Sequence, residues 1–166
     1  MLRLTTLLFT CLLSLSYLGA QKIAHVNFGN LLSGMPETVE ADTVLARLNR
    51  DMTAKGQQMV KELYEEVEIL RRDADNIPPI QVREREAELT AKQQSIQQFE
   101  QEMALTIEAK RRELLAPIIE KTKAVIKEVA DAGGYEIVID SSVFGSVLFA
   151  DDATDLTDAV RAALSN

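Results

Sequence analysis

The side chains with the widest chemical reach are few in this sequence. Histidine occurs once, at His25. An imidazole acting as base or metal ligand needs partners, so a lone histidine reads as a packed or surface residue. Glu65, Glu66 and Glu68 form one acidic cluster, and Asp151 with Asp152 forms another. Neither has the ligand spacing of a calcium loop. The first reads as the solvated face of a long helix, the second as a polar loop ahead of a short one. Gly133-Gly134 lacks the following Lys-Ser/Thr of a phosphate loop. Cys11 is the only cysteine, and it sits in an apolar run behind Leu8-Phe9-Thr10, a poor lipidation signal. With no nucleophile–base pair, metal-ligand set or cofactor motif in view, the expectation is a non-enzymatic protein that uses no cofactor.

The chain has 166 residues, enough for one domain and little more. Residues 1–20 hold one Arg, no acid and an apolar run from Leu4 to Leu18, closing on Gly19-Ala20. That is the layout of a removed secretory signal peptide, and the run is short for a membrane span, which needs roughly 20 apolar residues. Net charge is −8, and loss of Arg3 with the signal peptide makes it −9. Such an acidic chain is a poor partner for nucleic acid. Residues 37–70 carry −4 and residues 120–166 carry −5, while residues 71–92 balance to zero.

The elements follow from composition. Lys22–Phe28 (KIAHVNF) reads as a short strand, and Gly29 to Pro36 as a turn-rich connector. From Glu37 to Asn76 good helix formers dominate, with Gly56 the only glycine and no proline. Ile77-Pro78-Pro79 breaks that helix, and Pro79 suits the first turn of another. The tip therefore lies near 76–80, at Ile77, Pro78, Pro79 and Ile80. The second helix is expected to run to about Ala132 and to stop at Gly133-Gly134. Tyr135–Asp140 and Ser146–Ala150 read as strands joined through Ser141–Gly145 as a hairpin. Thr157 is the expected N-cap of a last helix, Asp158–Leu164. The fold class is α+β, mostly α: a long antiparallel helical hairpin (37–132) on a small β-containing body (21–36 and 133–166).

Helices of about 60 Å and 80 Å bury almost nothing alone, so they must pack on each other. Apolar residues recur every eleven positions, as in Ile96, Ile107, Ile118 and Val129, which implies a nearly straight or slightly right-handed pair. If the turn centres between Ile77 and Pro78, facing residue numbers sum to about 155. That rule pairs Ala41 with Leu114, Leu48 with Ile107, Met52 with Met103 and Met59 with Ile96. Nearer the tip, Leu63 meets Lys92 and Leu70 meets Arg85. The expectation is a dry, firm root and a wet tip that opens first. The methionines are seam residues first, and a soft binding surface second. Pro117 falls opposite Thr38, where the first helix begins, and marks a hinge.

The order of parts resembles the OmpH/Skp family of periplasmic chaperones for outer-membrane proteins. The residues that carry the resemblance are Met35-Pro36-Glu37 at the start of the hairpin, Gly134-Tyr135-Glu136-Ile137-Val138-Ile139-Asp140 after it, and the closing Asp155-Leu156-Thr157-Asp158-Ala159-Val160. The resemblance covers essentially the whole mature chain. It implies a trimer with a shared β core, built on strand residues Ile23, Val26, Ile137, Ile139, Val147 and Phe149. It also implies hairpins that enclose unfolded outer-membrane β-barrel proteins without nucleotide. Well-known members are strongly basic, whereas this chain is acidic, so contact with membrane lipid is not carried over. An envelope adaptor or spacer that uses its hairpin for protein–protein contact is the competing reading. Adaptors of that kind normally flank the hairpin with larger β domains than this chain has.

Overall fold

The computed structural model describes residues 21–165; the expected signal peptide and Cys11 lie outside them. The elements run β1 (Ile23–Val26), α1 (Phe28–Ser33), α2 (Pro36–Asp73), a 3-10 turn (Ala74–Asn76), α3 (Pro79–Gly133), β2 (Ile137–Asp140), a second 3-10 turn (Asp152–Thr154) and α4 (Thr157–Leu164). They fall into two compact units: residues up to Ser33 with Glu120 onward, and Gly34–Ile119.

The second unit is the helical hairpin of α2 and α3. Met35 is extended and Pro36 takes the first helical position, where a missing N–H costs nothing. The 38 residues of α2 then run without a proline to the 3-10 turn. Ile77 is extended ahead of Pro78, as a residue before proline prefers. α3 continues through Pro117 as one element of 55 residues. It ends as its glycines allow: Gly134 has φ +69, Gly134 N–H donates to Asp131 O (3.1 Å), and Tyr135 N–H reaches back to Ala130 O (2.9 Å). This is the Schellman closure, and a side chain at the left-handed position would strain it.

The first unit, the body, is built on a two-stranded parallel sheet, with Ile23 opposite Ile137 and Val26 opposite Asp140. Parallel strands need a long crossover, and the two long helices supply it. The inner face carries Ala24 and Val26, which pack with Leu31, Ala130, Leu156 and Val160 in one core, flanked by Val125, Val129, Tyr135 and Val138. Lys22 clamps the end of α3: its ammonium donates to Gly133 O (2.7 Å) and lies 4.1 Å from the centre of the Tyr135 ring. A cation at a helix C-terminus meets the unsatisfied carbonyls there.

Three expectations need correction. Residues 29–33 are helical and not a connector, because Asn27 caps them: its Oδ1 accepts Asn30 N–H at 2.9 Å and its carbonyl accepts Leu31 N–H. Residues 146–150 form no strand. A strand needs a ladder partner, and β2 takes β1 instead of closing a hairpin. Thr157 is the first residue of α4 and not its cap. Its hydroxyl instead accepts Asn27 N–H across the core at 2.9 Å.

Candidate functional site

The alternation of β1 and β2 puts Ile23, His25, Ile137 and Ile139 on the face opposite the core. That face is uncovered: Ile23 is 45% exposed, Ile137 42% and Ile139 37%. Val26 belongs to the inner face. Next to the sheet, a turn closes through Ser146 N–H to Val143 O (3.0 Å), with Gly145 at φ +79. It leaves Phe144, Leu148 and Phe149 almost fully exposed, while Val147 is half-buried. Single exposed apolar residues are ordinary, but a cluster of this kind marks an interaction surface.

Two carboxylates hold this edge in place. Asp140 accepts from Ser142 Oγ (2.6 Å), Ser142 N–H (2.8 Å) and Phe28 N–H (3.2 Å). Burial raises its pKa, but these three donors outweigh burial and hold the carboxyl below its ordinary range. Asp155 is held low in the same way. Burial raises it, but the Thr157 hydroxyl and N–H, with the His25 and Arg161 charges, together lower it by more. His25 forms a parallel bridge with Asp155, and its carbonyl accepts Leu156 N–H at 2.9 Å. Its Nδ1 is buried with no hydrogen-bond partner. No group of three or more acidic, His or Cys side chains able to hold a metal occurs among the described residues.

On the hairpin, Ala41 and Ile96 are buried, whereas Leu48, Met52, Met59, Met103, Ile107 and Leu114 are half-buried. At the tip Ile77 is half-buried, Pro78 and Pro79 are exposed, and Ile80 is 61% exposed. Pro117 is exposed within α3. The sequence reading passed over Leu45, which is buried, and Phe99, whose ring packs on Gly56, and it left Leu70, also buried, facing Arg85. Leu45 was within reach, four positions after Ala41 on the same helix face. Leu70 was not, because the simple register set it against Arg85. In the structure Leu70 is buried, beside a groove of about 310 Å³ lined by Ile69 and Leu89 together with Glu66, Arg85, Glu88 and Lys92. Lys92 pairs with Glu66, and Arg85 with Asp73 at 3.9 Å. Leu70 is thus buried where the register left it open, while both cations and Glu66 line the groove beside it. Glu65 and Glu68 pair with Lys61 (3.7 Å) and Arg71 (3.2 Å), as residues of a solvated helix face do.

The described residues comprise a long helical hairpin and a small α/β body whose outer sheet face is apolar. Residues 22–164 match the family described as Outer membrane protein (OmpH-like). Chaperone protein Skp of Yersinia enterocolitica is 27% identical over 145 residues, spanning 83% of this chain and 82% of that relative. The crystal structure of a candidate outer membrane chaperone (OmpH-like) from Caulobacter crescentus CB15 superposes with a TM-score of 0.74 at 21% identity. It covers 88% of this chain and 85% of that one, and at this identity the likeness concerns the fold. The chain belongs to the OmpH/Skp family of chaperones, and it is not an enzyme.

Proposed function

We propose that the chain is an exported, ATP-independent holdase that binds unfolded outer-membrane β-barrel precursors in the periplasm and keeps them from aggregating. The observation that carries the reading is one chain that combines the family match over residues 22–164 with an uncovered apolar sheet face. A body this small has little core of its own. Self-association through Ile23, Ile137 and Ile139, with Val147 and Phe149 beside them, would cover that face and the free edge of β2. Three copies are the number the family resemblance favours. The hairpins would then surround a client weakly along much of their length, with half-buried methionines as adaptable contacts. The net charge of −8 speaks against capture of anionic lipid as the means.

The test is the mass of the purified mature protein in solution, followed by dilution of a urea-unfolded outer-membrane barrel into it without nucleotide. A trimer that suppresses light scattering supports the proposal. A monomer with no effect on scattering overturns it. A tight complex with one partner, inert toward unfolded barrels, would favour the adaptor reading instead.

A further inference from the structure

Residues 21–165 contain methionines at 35, 52, 59 and 103 and no cysteine, so thioethers are their most readily oxidised side chains. These methionines differ in access. Met35, at the N-cap of α2, is 5% exposed. Met52, Met59 and Met103 are half-buried along the hairpin. Met52 of α2 and Met103 of α3 also line one groove of about 320 Å³, with Val60, Phe99 and Glu100. Hydrogen peroxide is scarcely larger than water, whose share of the liquid is about 30 Å³ per molecule, so the groove has room for it. Peroxide is also neutral. The net charge of −8 and the Glu100 carboxylate at the groove would repel an anionic oxidant but leave a neutral one unhindered.

The chemistry is an oxygen transfer. A lone pair of the thioether sulfur attacks the terminal oxygen of a peroxide, and an S–O bond forms as the O–O bond breaks. The sulfur loses two electrons and the peroxide gains them. The proton of the transferred oxygen passes to the leaving oxygen, which departs as water or an alcohol. A flexible apolar side chain has become a polar, chiral sulfoxide. In this groove the new S–O dipole lies beside Val60 and the Phe99 ring, which offer it no hydrogen-bond donor. Oxidation of both methionines puts one such dipole on each helix at the same level of the seam.

We propose that Met52 and Met103 form a reversible peroxide-oxidation site, and that oxidising them weakens the contact between α2 and α3 at that level. Reductases specific for the two sulfoxide epimers restore the apolar seam. The proposal does not rest on the holdase reading.

The site is tested by treating the full mature protein with dilute hydrogen peroxide, folded and again in urea, and weighing its peptides by mass spectrometry. In urea the methionines should react alike. In the folded protein Met52 and Met103 should keep at least about a third of that rate and Met35 less than about a tenth, because a buried sulfur must wait for local opening. Protection of Met52 and Met103 equal to that of Met35 would overturn the site. The consequence is tested by thermal melting followed through helical circular dichroism. The oxidised wild type should melt lower than the untreated protein, and both reductases together should return the original melting temperature. Met52→Leu/Met103→Leu keeps the groove apolar at nearly constant volume. Measured against its own untreated melt, it should lose less than half of the wild-type shift after peroxide. No shift in the oxidised wild type, or an equal shift in the two proteins, would overturn the effect on the seam. A shift that the reductases fail to reverse would overturn its reversibility.

Discussion

In the body, Val160 and Thr122 are fully shielded, and Ala24 and Val26 nearly so. Along the hairpin even the most shielded positions, Ala41, Leu45, Ile96 and Leu70, stop short of that state, and Met52, Met59, Met103 and Ile107 remain partly open. The body closes by joining residues more than a hundred positions apart: Asn27 N–H to Thr157, Phe28 N–H to Asp140, Lys22 to Gly133. The hairpin closes by a succession of pairwise side-chain contacts on two helices that largely form by themselves. One unit buries its residues against partners from distant parts of the chain. The other is a ladder whose rungs differ in strength, as a surface that accommodates varied partners requires.

Breaking that contrast starts in the body. Val160→Asp places an unpaired carboxylate at a site with 0% exposure. Unfolding in urea should show a loss of more than about 4 kcal/mol, enough to abolish the folded body. A loss under about 1 kcal/mol would mean that the core is not the single packed unit described.

The rungs of the hairpin come next. Leu70 is 9% exposed and Met52 only half-buried, so Leu70→Lys should lower thermal stability more than Met52→Lys. The larger of the two losses should be about 2–3 kcal/mol. The opposite order would restore the picture of a firm root and a wet tip.

The smallest expected effect concerns pH. Asp140 is held below its ordinary value in the folded body, so its contribution is fully present above the ordinary carboxylate range. That contribution is lost as pH falls through the lowered folded value. Asp140→Asn keeps an acceptor for Phe28 and Ser142 but cannot titrate. Its melting temperature should therefore fall less steeply than that of the wild type as pH drops below about 4. Parallel slopes would show that Asp140 does not couple acid to the body.

The tight body was also the harder half to foresee. Ile137 and Ile139 announced a strand, but the alternation of a strand does not name its neighbour. Ser146–Ala150 looked equally suitable, and it finds no ladder in this chain. Thr157 has the right type and place for a cap, yet its hydroxyl is drawn to Asn27, 130 positions away. On the hairpin the main seam residues follow from spacing, while Leu45, Leu70 and Phe99 depend on how two helices settle against each other. A fixed sum of residue numbers ignores that long cations such as Arg85 and Lys92 swing aside to reach Asp73 and Glu66.

What the sequence determines alone is whatever is written within a few residues: the two long helices, their break at Ile77-Pro78-Pro79, and the glycine stop after Ala132. Helical hydrogen bonds reach four positions, and proline and glycine act on their own backbone. What only the tertiary structure decided is which strand β1 would meet, which face of the sheet would stay bare, and where along the seam packing is firm or loose. Those are choices among distant partners, settled by the burial and polar pairing of the whole fold rather than by any single stretch of it.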